Sequence, residues 1–358
     1  MNEAGSAYRP DRVTPPGETL KESIEALGMT QAELARRMGR PLKTINEIIN
    51  GKAAIMSDTA LQLERVLGIP ASFWMNLERN YRLTSARLAE AERLVDEVDL
   101  AKLYPYRELA QNGYVRETRV RSEQVLELLA FFGVNSLNAI QYPGYSLRVA
   151  RQRQPSRESL AAWFRMGELQ GQGIQVESYD AKRLMDLVPN LRGLTTSRDQ
   201  GWSKQLQTLC ASAGVAVVYV PHLPKTYVHG VTRWLSQFKA LVQLSLRGCY
   251  ADIFWFTFFH ELGHILKHGK RETFIEGSHP AVNPREAEAD EFAARVLIAD
   301  DDYGRFVRAR MFDEQAVLTF ASAIRIHPGI VVGRLQRDDY LDHNRLNGLR
   351  AKLTFASE

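Results

Sequence analysis

Cysteine is nearly absent. Cys210 and Cys249 are the two thiols in 358 residues, and they form no CxxC or repeating pattern. That excludes a disulfide-stapled secreted scaffold and fits a reducing compartment. Long apolar runs are also missing. The most apolar stretch, Ile253–Phe259 with its continuation past His260 and Glu261, falls far short of the roughly 20 residues of a membrane helix. The opening residues MNEAGSAYRPDRV hold no apolar core behind a basic start, so no signal peptide is predicted. A soluble, cytoplasmic protein with no membrane partner is expected. Net charge is small: 46 basic against 42 acidic residues leave +4. A chain so nearly balanced does not coat nucleic acid generally, and any DNA contact must come from a local patch. No internal repeat or low-complexity tract is present.

The remaining composition, 45% apolar and 25% charged, is that of a soluble globular protein. The length predicts two or three domains at roughly 150 residues each. Residues 1–17 are polar with three prolines and read as a disordered arm. Short helices with tight breaks follow over 18–82. Residues 83–157 read as a helical middle region, with paired apolar positions such as Val125-Leu126 and Leu128-Leu129. In the last region, 158–358, helical periodicity gives way after Gly214 to Val215–Val220, Tyr227–Leu235 and Ala240–Leu246. These runs are rich in β-branched and aromatic residues and punctuated by Pro221, Pro224 and Gly230, which predicts a small sheet. Helices from about Asp252 to His268 and from about Pro284 to Ile298 come next, then a helical tail broken at His327-Pro328-Gly329. The fold class is α+β, mostly helical.

Two stretches carry chemistry. In the first, Thr30 is a natural N-cap with Glu33 at capping-box distance. Ala32, Leu34, Ala35 and Met38 form an apolar stripe, and Gly39 supplies the turn. A second short helix opens at Pro41 and points Ile45, Ile48 and Ile49 inward. From Arg36 to Lys52 there are five bases and one acid, a local charge of +4. Such a pair of helices can place Gln31, Lys43, Thr44, Asn46, Glu47 and Lys52 against phosphates and base edges. The runs TQAELARRMG, INEIINGK, DTALQLERVLG and SFWMNLERNYR resemble the Xre-type helix-turn-helix of HigA-like antitoxins. The resemblance implies a five-helix domain that binds operator double-stranded DNA as a homodimer. Pro41-Leu42 departs from it, since many relatives carry small polar or basic residues there.

The second stretch is His260-Glu261-Leu262-Gly263-His264. On a helix, positions four apart share a face one turn apart, so two imidazoles can hold one Zn²⁺ while Glu261 stands beside the ion as a proton carrier. A third ligand is needed, and His268, Glu286, Glu288 and Glu291 are within reach in sequence. His268 lies about 12 Å along the helix from His260 and is expected to cap the helix C-terminus instead. Glu286 is the first choice and Glu288 the second. Glu286 shares a face with Asp290, the spacing of a ligand and a carboxylate that accepts a ligand histidine's N–H. Gly263 lets the second helix approach.

The runs FWFTFFHELGHILKHGK and EAEADEFAARVLIAD are similar to the ImmA/IrrE metallopeptidases. That resemblance implies a gluzincin-like zincin fold, one zinc per chain on His260, His264 and Glu286, Asp290 behind them and Glu261 as the catalytic base. Ala299 departs from it, where many relatives have proline. His229, Tyr227 and His327 are oxyanion-donor candidates, and Ala240–Leu246 could pair with an extended peptide. The Arg116/Arg119/Arg121 and Arg148/Arg151/Arg153/Arg157 clusters, Arg233-Trp234 and Cys249 read as solvated or packed side chains. The expected function is a regulatory zinc endopeptidase that cleaves a repressor or a toxin–antitoxin or stress-response partner protein. The alternative is a transcriptional repressor or antitoxin whose peptidase fold binds a partner or senses metal without turnover.

Overall fold

The structure is a computed structural model that describes residues 14–140, 155–197, 201–245, 250–268 and 284–353. Residues 1–13 of the expected arm, Arg148, Arg151, Arg153 and Cys249 lie outside the described residues. The chain divides into two units, Met1–Asp99 with Val120–Val125, and Leu100–Arg119 with Leu126–Glu358.

The first unit holds α1 (Pro16–Ala26), α2 (Gln31–Met38), α3 (Leu42–Ile49), α4 (Ser57–Leu67) and α5 (Ala71–Leu94). Pro16 and Gly17 open α1 and are buried, so the helix starts before the expected arm ends. Thr30 caps α2, its hydroxyl accepting the Glu33 N–H at 3.2 Å. Gly39 ends α2 at φ 64°, a left-handed turn that glycine adopts without strain. Leu34, Ala35 and Met38 are buried, but Ala32 is exposed. It sits about 120° around the helix from the centre of that stripe. Leu20, Ile24, Leu34, Ile45, Leu63 and Trp74 form one core. α5 continues unbroken through position 82 to Leu94, because nothing from Asn80 to Leu94 stops a helix.

Short α6 (Val98–Ala101), α7 (Tyr106–Gln111) and α8 (Arg121–Phe132) follow. The second unit continues with α9 (Arg157–Gly173), α10 (Ala181–Gly193) and α11 (Trp202–Ala211), then β1 (Val215–Val220), β2 (Gly230–Ser236) and β3 (Lys239–Ser245). α12 (Ala251–His268), α13 (Pro284–Leu297), α14 (Asp300–Ala309), α15 (Glu314–Ala323) and α16 (Pro328–Arg337) complete it. Strand order is β1-β3-β2, with β1 parallel and β2 antiparallel to β3.

β3 is therefore central and buried on both faces. Leu241 and Gln243 meet Gly171 and Gly167 of α9. Ala240, Val242 and Leu244 join the main core with Trp255, Phe258, Phe259 and Leu262 of α12. Alternate strand residues thus feed two layers, and α12 is held against the sheet by its aromatic face. Tyr227 sits at φ 51°, a turn conformation, so β2 begins at Gly230 and not at Tyr227. Among the described residues, no single helix is long and apolar enough to cross a membrane.

Candidate metal centre and nucleic-acid interface

His260 and His264 project from one face of α12. Their Nε2 atoms lie 3.1 Å apart. Glu286, in the first turn of α13, faces both: its Oε2 is 3.2 Å from His260 Nε2 and its Oε1 is 3.4 Å from His264 Nε2. α13 reaches this close because Gly263 has no side chain. A Cβ there would stand 3.1 Å from a ring carbon of Phe292 and 3.2 Å from Ala289 Cα.

The polar groups of this cluster are informative. Asp290 Oδ1 lies 2.8 Å from His260 Nδ1. A carboxylate only accepts, so His260 carries a proton on Nδ1, and in its neutral form, the form that binds a metal, the Nε2 lone pair faces Glu286. Glu286 Oε1 is itself buried with no hydrogen-bond partner. Lone pairs facing one another at such distances call for a cation. Two ligand atoms about 2.05 Å from a tetrahedral zinc stand about 3.3 Å apart, and the three measured separations, 3.1, 3.2 and 3.4 Å, bracket that value. The donor set, two imidazoles and a carboxylate, suits zinc.

A third layer was not foreseen from sequence. Arg337, the last residue of α16, holds Asp290 Oδ2 at 3.0 Å and stacks 4.5 Å over Phe256. Forty-seven residues separate it from Asp290, so no local spacing could have pointed to it.

Glu261 is 4% exposed. Its carboxylate lies along the start of β2, where a Cβ on Gly230 would sit 3.1 Å from Oε1. The Thr232 hydroxyl donates to the Glu261 carbonyl at 3.0 Å, tying the strand to the helix. His268 does not cap its own helix. Its Nε2 lies 3.1 Å from the Arg285 carbonyl and its Nδ1 3.8 Å from Glu288. The first turn of α13 lies beside the end of α12, so a partner on the next helix replaces the local one. Glu288 and Glu291 lie apart from the cluster, Glu291 pairing with Arg295 at 2.6 Å.

Ala240–Leu246 cannot offer an edge to a peptide, since β3 is paired on both sides; β1 and β2 are the outer strands. His327 caps α16, its Nδ1 accepting the Gly329 N–H at 3.0 Å. The Arg233 guanidinium donates to the Phe164 carbonyl, and Trp234 meets Tyr179 edge-on at 4.8 Å.

In the first unit, Asn46 and Gln31 come within 3.5 Å across α3 and α2. Lys43 and Glu47 pair along α3 at 3.8 Å, with Lys43 exposed and Glu47 half-buried. Thr44 is half-buried and Lys52 is exposed just past the helix end. Leu42, at the start of α3, is 50% exposed. The local charge is weaker than a count over Arg36–Lys52 suggests. Arg36 and Arg37 both bind Glu33, at 2.7 Å each, and Arg40 pairs with Asp58. Both acids lie outside that window.

Two family profiles match the chain: a helix-turn-helix over residues 20–74 and an IrrE N-terminal-like domain over residues 253–336. The chain belongs to the helix-turn-helix family and joins to it an IrrE-like peptidase domain. Its helix-turn-helix part is 34% identical over 88 residues to the HTH-type transcriptional regulator YddM of Escherichia coli, covering 25% of this chain and 88% of that one. It is 35% identical over 72 residues to antitoxin HigA-1 of Vibrio cholerae, covering 20% and 68%. Among solved structures, the HigA-family addiction-module antidote of Coxiella burnetii is 32% identical, covering 24% of this chain and 95% of that chain at TM-score 0.23. Pseudomonas aeruginosa antitoxin HigA, solved with the higBA promoter, is 33% identical with the same coverage and TM-score 0.23. The second profile begins within α12 and ends within α16, and so takes in His260, His264 and Glu286.

Proposed function

We propose that this IrrE-like chain is a DNA-binding regulatory zinc endopeptidase, which binds operator DNA through α2 and α3 and hydrolyses a repressor or a toxin–antitoxin or stress-response partner. The observation that carries it is the convergence of His260, His264 and Glu286 on one point, with a buried Glu286 oxygen otherwise unpartnered. These three residues would hold the ion. Zinc, when bound, supplies Lewis acidity toward a carbonyl oxygen and water. Asp290 keeps His260 in the Nδ1–H tautomer, so that Nε2 stays a lone-pair donor. Glu261 takes a proton from the attacking water at its carboxylate and returns it to the leaving amine. His260 and Glu261 are themselves buried, which keeps bulk water from their side of the site.

On the DNA side, Gln31, Lys43, Thr44, Asn46, Glu47 and Lys52 present the contacts, and a homodimer would address two half-sites. The relatives matched along the first quarter of the chain are regulators and antitoxins, which supports operator binding and also favours a second reading, a repressor whose peptidase fold senses metal without turnover. Glu261→Gln tests the first. It should keep one zinc per chain and lose 10²- to 10⁴-fold in cleavage rate, roughly the contribution of general acid–base catalysis. Cleavage at the wild-type rate would remove Glu261 from the chemistry. Stoichiometric zinc without cleavage of any repressor or antitoxin offered as substrate would favour the second reading.

A further inference from the structure

A cavity of about 580 Å³ lies where the turn Leu194–Thr196, the starts of α11 and α12, the end of α15 and the segment 351–353 meet. Neither the metal cluster nor Glu261, Asp290 or Arg337 lines it. Its volume falls within the range of small-molecule pockets, roughly 300–1,000 Å³.

One part of the wall is flat and apolar. The rings of Trp202 and Trp255 stand 5.4 Å apart, tilted by 53°, and both residues are buried. Leu318 and Ile326 continue that surface. Broad rings of this kind select a planar, apolar body.

The polar part of the wall donates. The Thr195 hydroxyl is buried and has no hydrogen-bond partner among the described residues. A buried hydroxyl is costly to leave unpaired, so this one calls for a partner from outside the chain. His327 Nδ1 accepts the Gly329 N–H at 3.0 Å, which in the neutral ring leaves the proton on Nε2 and makes that nitrogen a donor. Burial lowers the His327 pKa against the opposing pull of the Asp252 carboxylate, which favours that neutral ring. Lys352 reaches over the Tyr250 ring at 5.7 Å and forms no ion pair among the described residues. Among the described residues, no aspartate or glutamate lines the cavity. Three donors, one of them cationic, with no carboxylate beside them select an anionic acceptor.

We infer that this cavity is a binding site for a small aromatic carboxylate, its ring against Trp202 and Trp255 and its carboxylate toward Thr195, His327 and Lys352. The inference does not depend on the hydrolase reading. Four probes test it: indole-3-acetate, its neutral amide indole-3-acetamide, the cation tryptamine, and acetate, the headgroup without the ring. Each is titrated by saturation-transfer NMR and calorimetry into full-length wild type, Lys352→Gln, Thr195→Val and Ser322→Phe. Ser322 lines the cavity and is exposed, so a phenylalanine there fills space without touching the core.

Expected is saturable binding of indole-3-acetate, weaker by roughly tenfold or more for the amide and absent for tryptamine and acetate over the same range. Lys352→Gln should weaken the acid roughly tenfold, as for a lost hydrogen bond to a charged group, and Lys352→Arg should restore it. Thr195→Val should also weaken the acid, while the denaturation midpoint of the free protein holds or rises, because an unsatisfied hydroxyl has been removed. Ser322→Phe should abolish binding. No saturable binding of the acid to wild type, the amide, tryptamine or acetate binding as tightly as the acid, or an acid affinity unmoved by all three substitutions overturns the proposal.

Discussion

Asp290→Asn changes one atom and should disable the metal centre. Asp290 Oδ1 accepts from His260 Nδ1 at 2.8 Å while Oδ2 accepts from Arg337 at 3.0 Å. An asparagine offers one acceptor and one donor. The guanidinium has donors only, so it claims the amide oxygen and turns the NH₂ toward His260. The imidazole then carries its lone pair on Nδ1 and its proton on Nε2, the atom that must face the ion. Loss of such outer partners lowers metal affinity about 10- to 100-fold, and the forced tautomer predicts the upper end, about 2.8 kcal/mol at 1.4 kcal/mol per tenfold. Competition with a chromogenic chelator measures it. Pairing Asp290→Asn with Arg337→Leu frees the amide to flip and should recover part of the loss, a coupling that simple loss of packing would not give. Zinc affinity within about threefold of wild type in the single variant, or no recovery in the double, refutes the reasoning.

Other outcomes follow from the same geometry. Gly230→Ala places a methyl 2.6 Å from Thr257 Cγ2 and 3.1 Å from Glu261 Oε1; zinc content should hold while cleavage falls by roughly tenfold or more, as expected for a displaced catalytic group. Gly17→Ala puts a methyl 2.3 Å from the Ile48 and Ile49 carbonyl oxygens and should destabilise the helix-turn-helix unit by about 1–3 kcal/mol, read as a lower denaturation midpoint. Cys210 is fully buried and burial pushes its thiol up. In a Cys249→Ser background it should ignore a thiol reagent until the protein unfolds, and native stability should be intact below an unfolded-thiol pKa of about 8.5 and fall above it, because only the unfolded chain then ionises. Asn46→Ala should cost about 1–3 kcal/mol of operator discrimination, whereas Lys52→Ala should weaken binding to all sequences and lower the salt slope by about 1; gel shifts over a salt series separate the two.

Much of this was legible because it is local. The four-residue spacings of His260 with His264 and of Glu286 with Asp290 are properties of single helices, and the Thr30 cap and Gly39 turn are written in adjacent residues. What was not legible depends on chain return. Strand order turned on a parallel β1–β3 pairing that no short pattern encodes, so the run at Ala240–Leu246 looked like an available edge. His268 was read against its own helix, but its partner is a carbonyl seventeen residues on. Glu33 and Asp58 neutralise arginines that a charge count over neighbouring residues leaves bare. Arg337 steadies a carboxylate on a different helix.

X-ray absorption at the zinc edge addresses the central claim most directly. The full-length protein loaded with zinc should hold one ion per chain, with two imidazole nitrogens and a carboxylate oxygen in the spectrum, and Glu286→Ala should lose the oxygen and bind more weakly. A wild-type protein that retains no stoichiometric zinc, or a Glu286→Ala spectrum identical to it, would contradict the account.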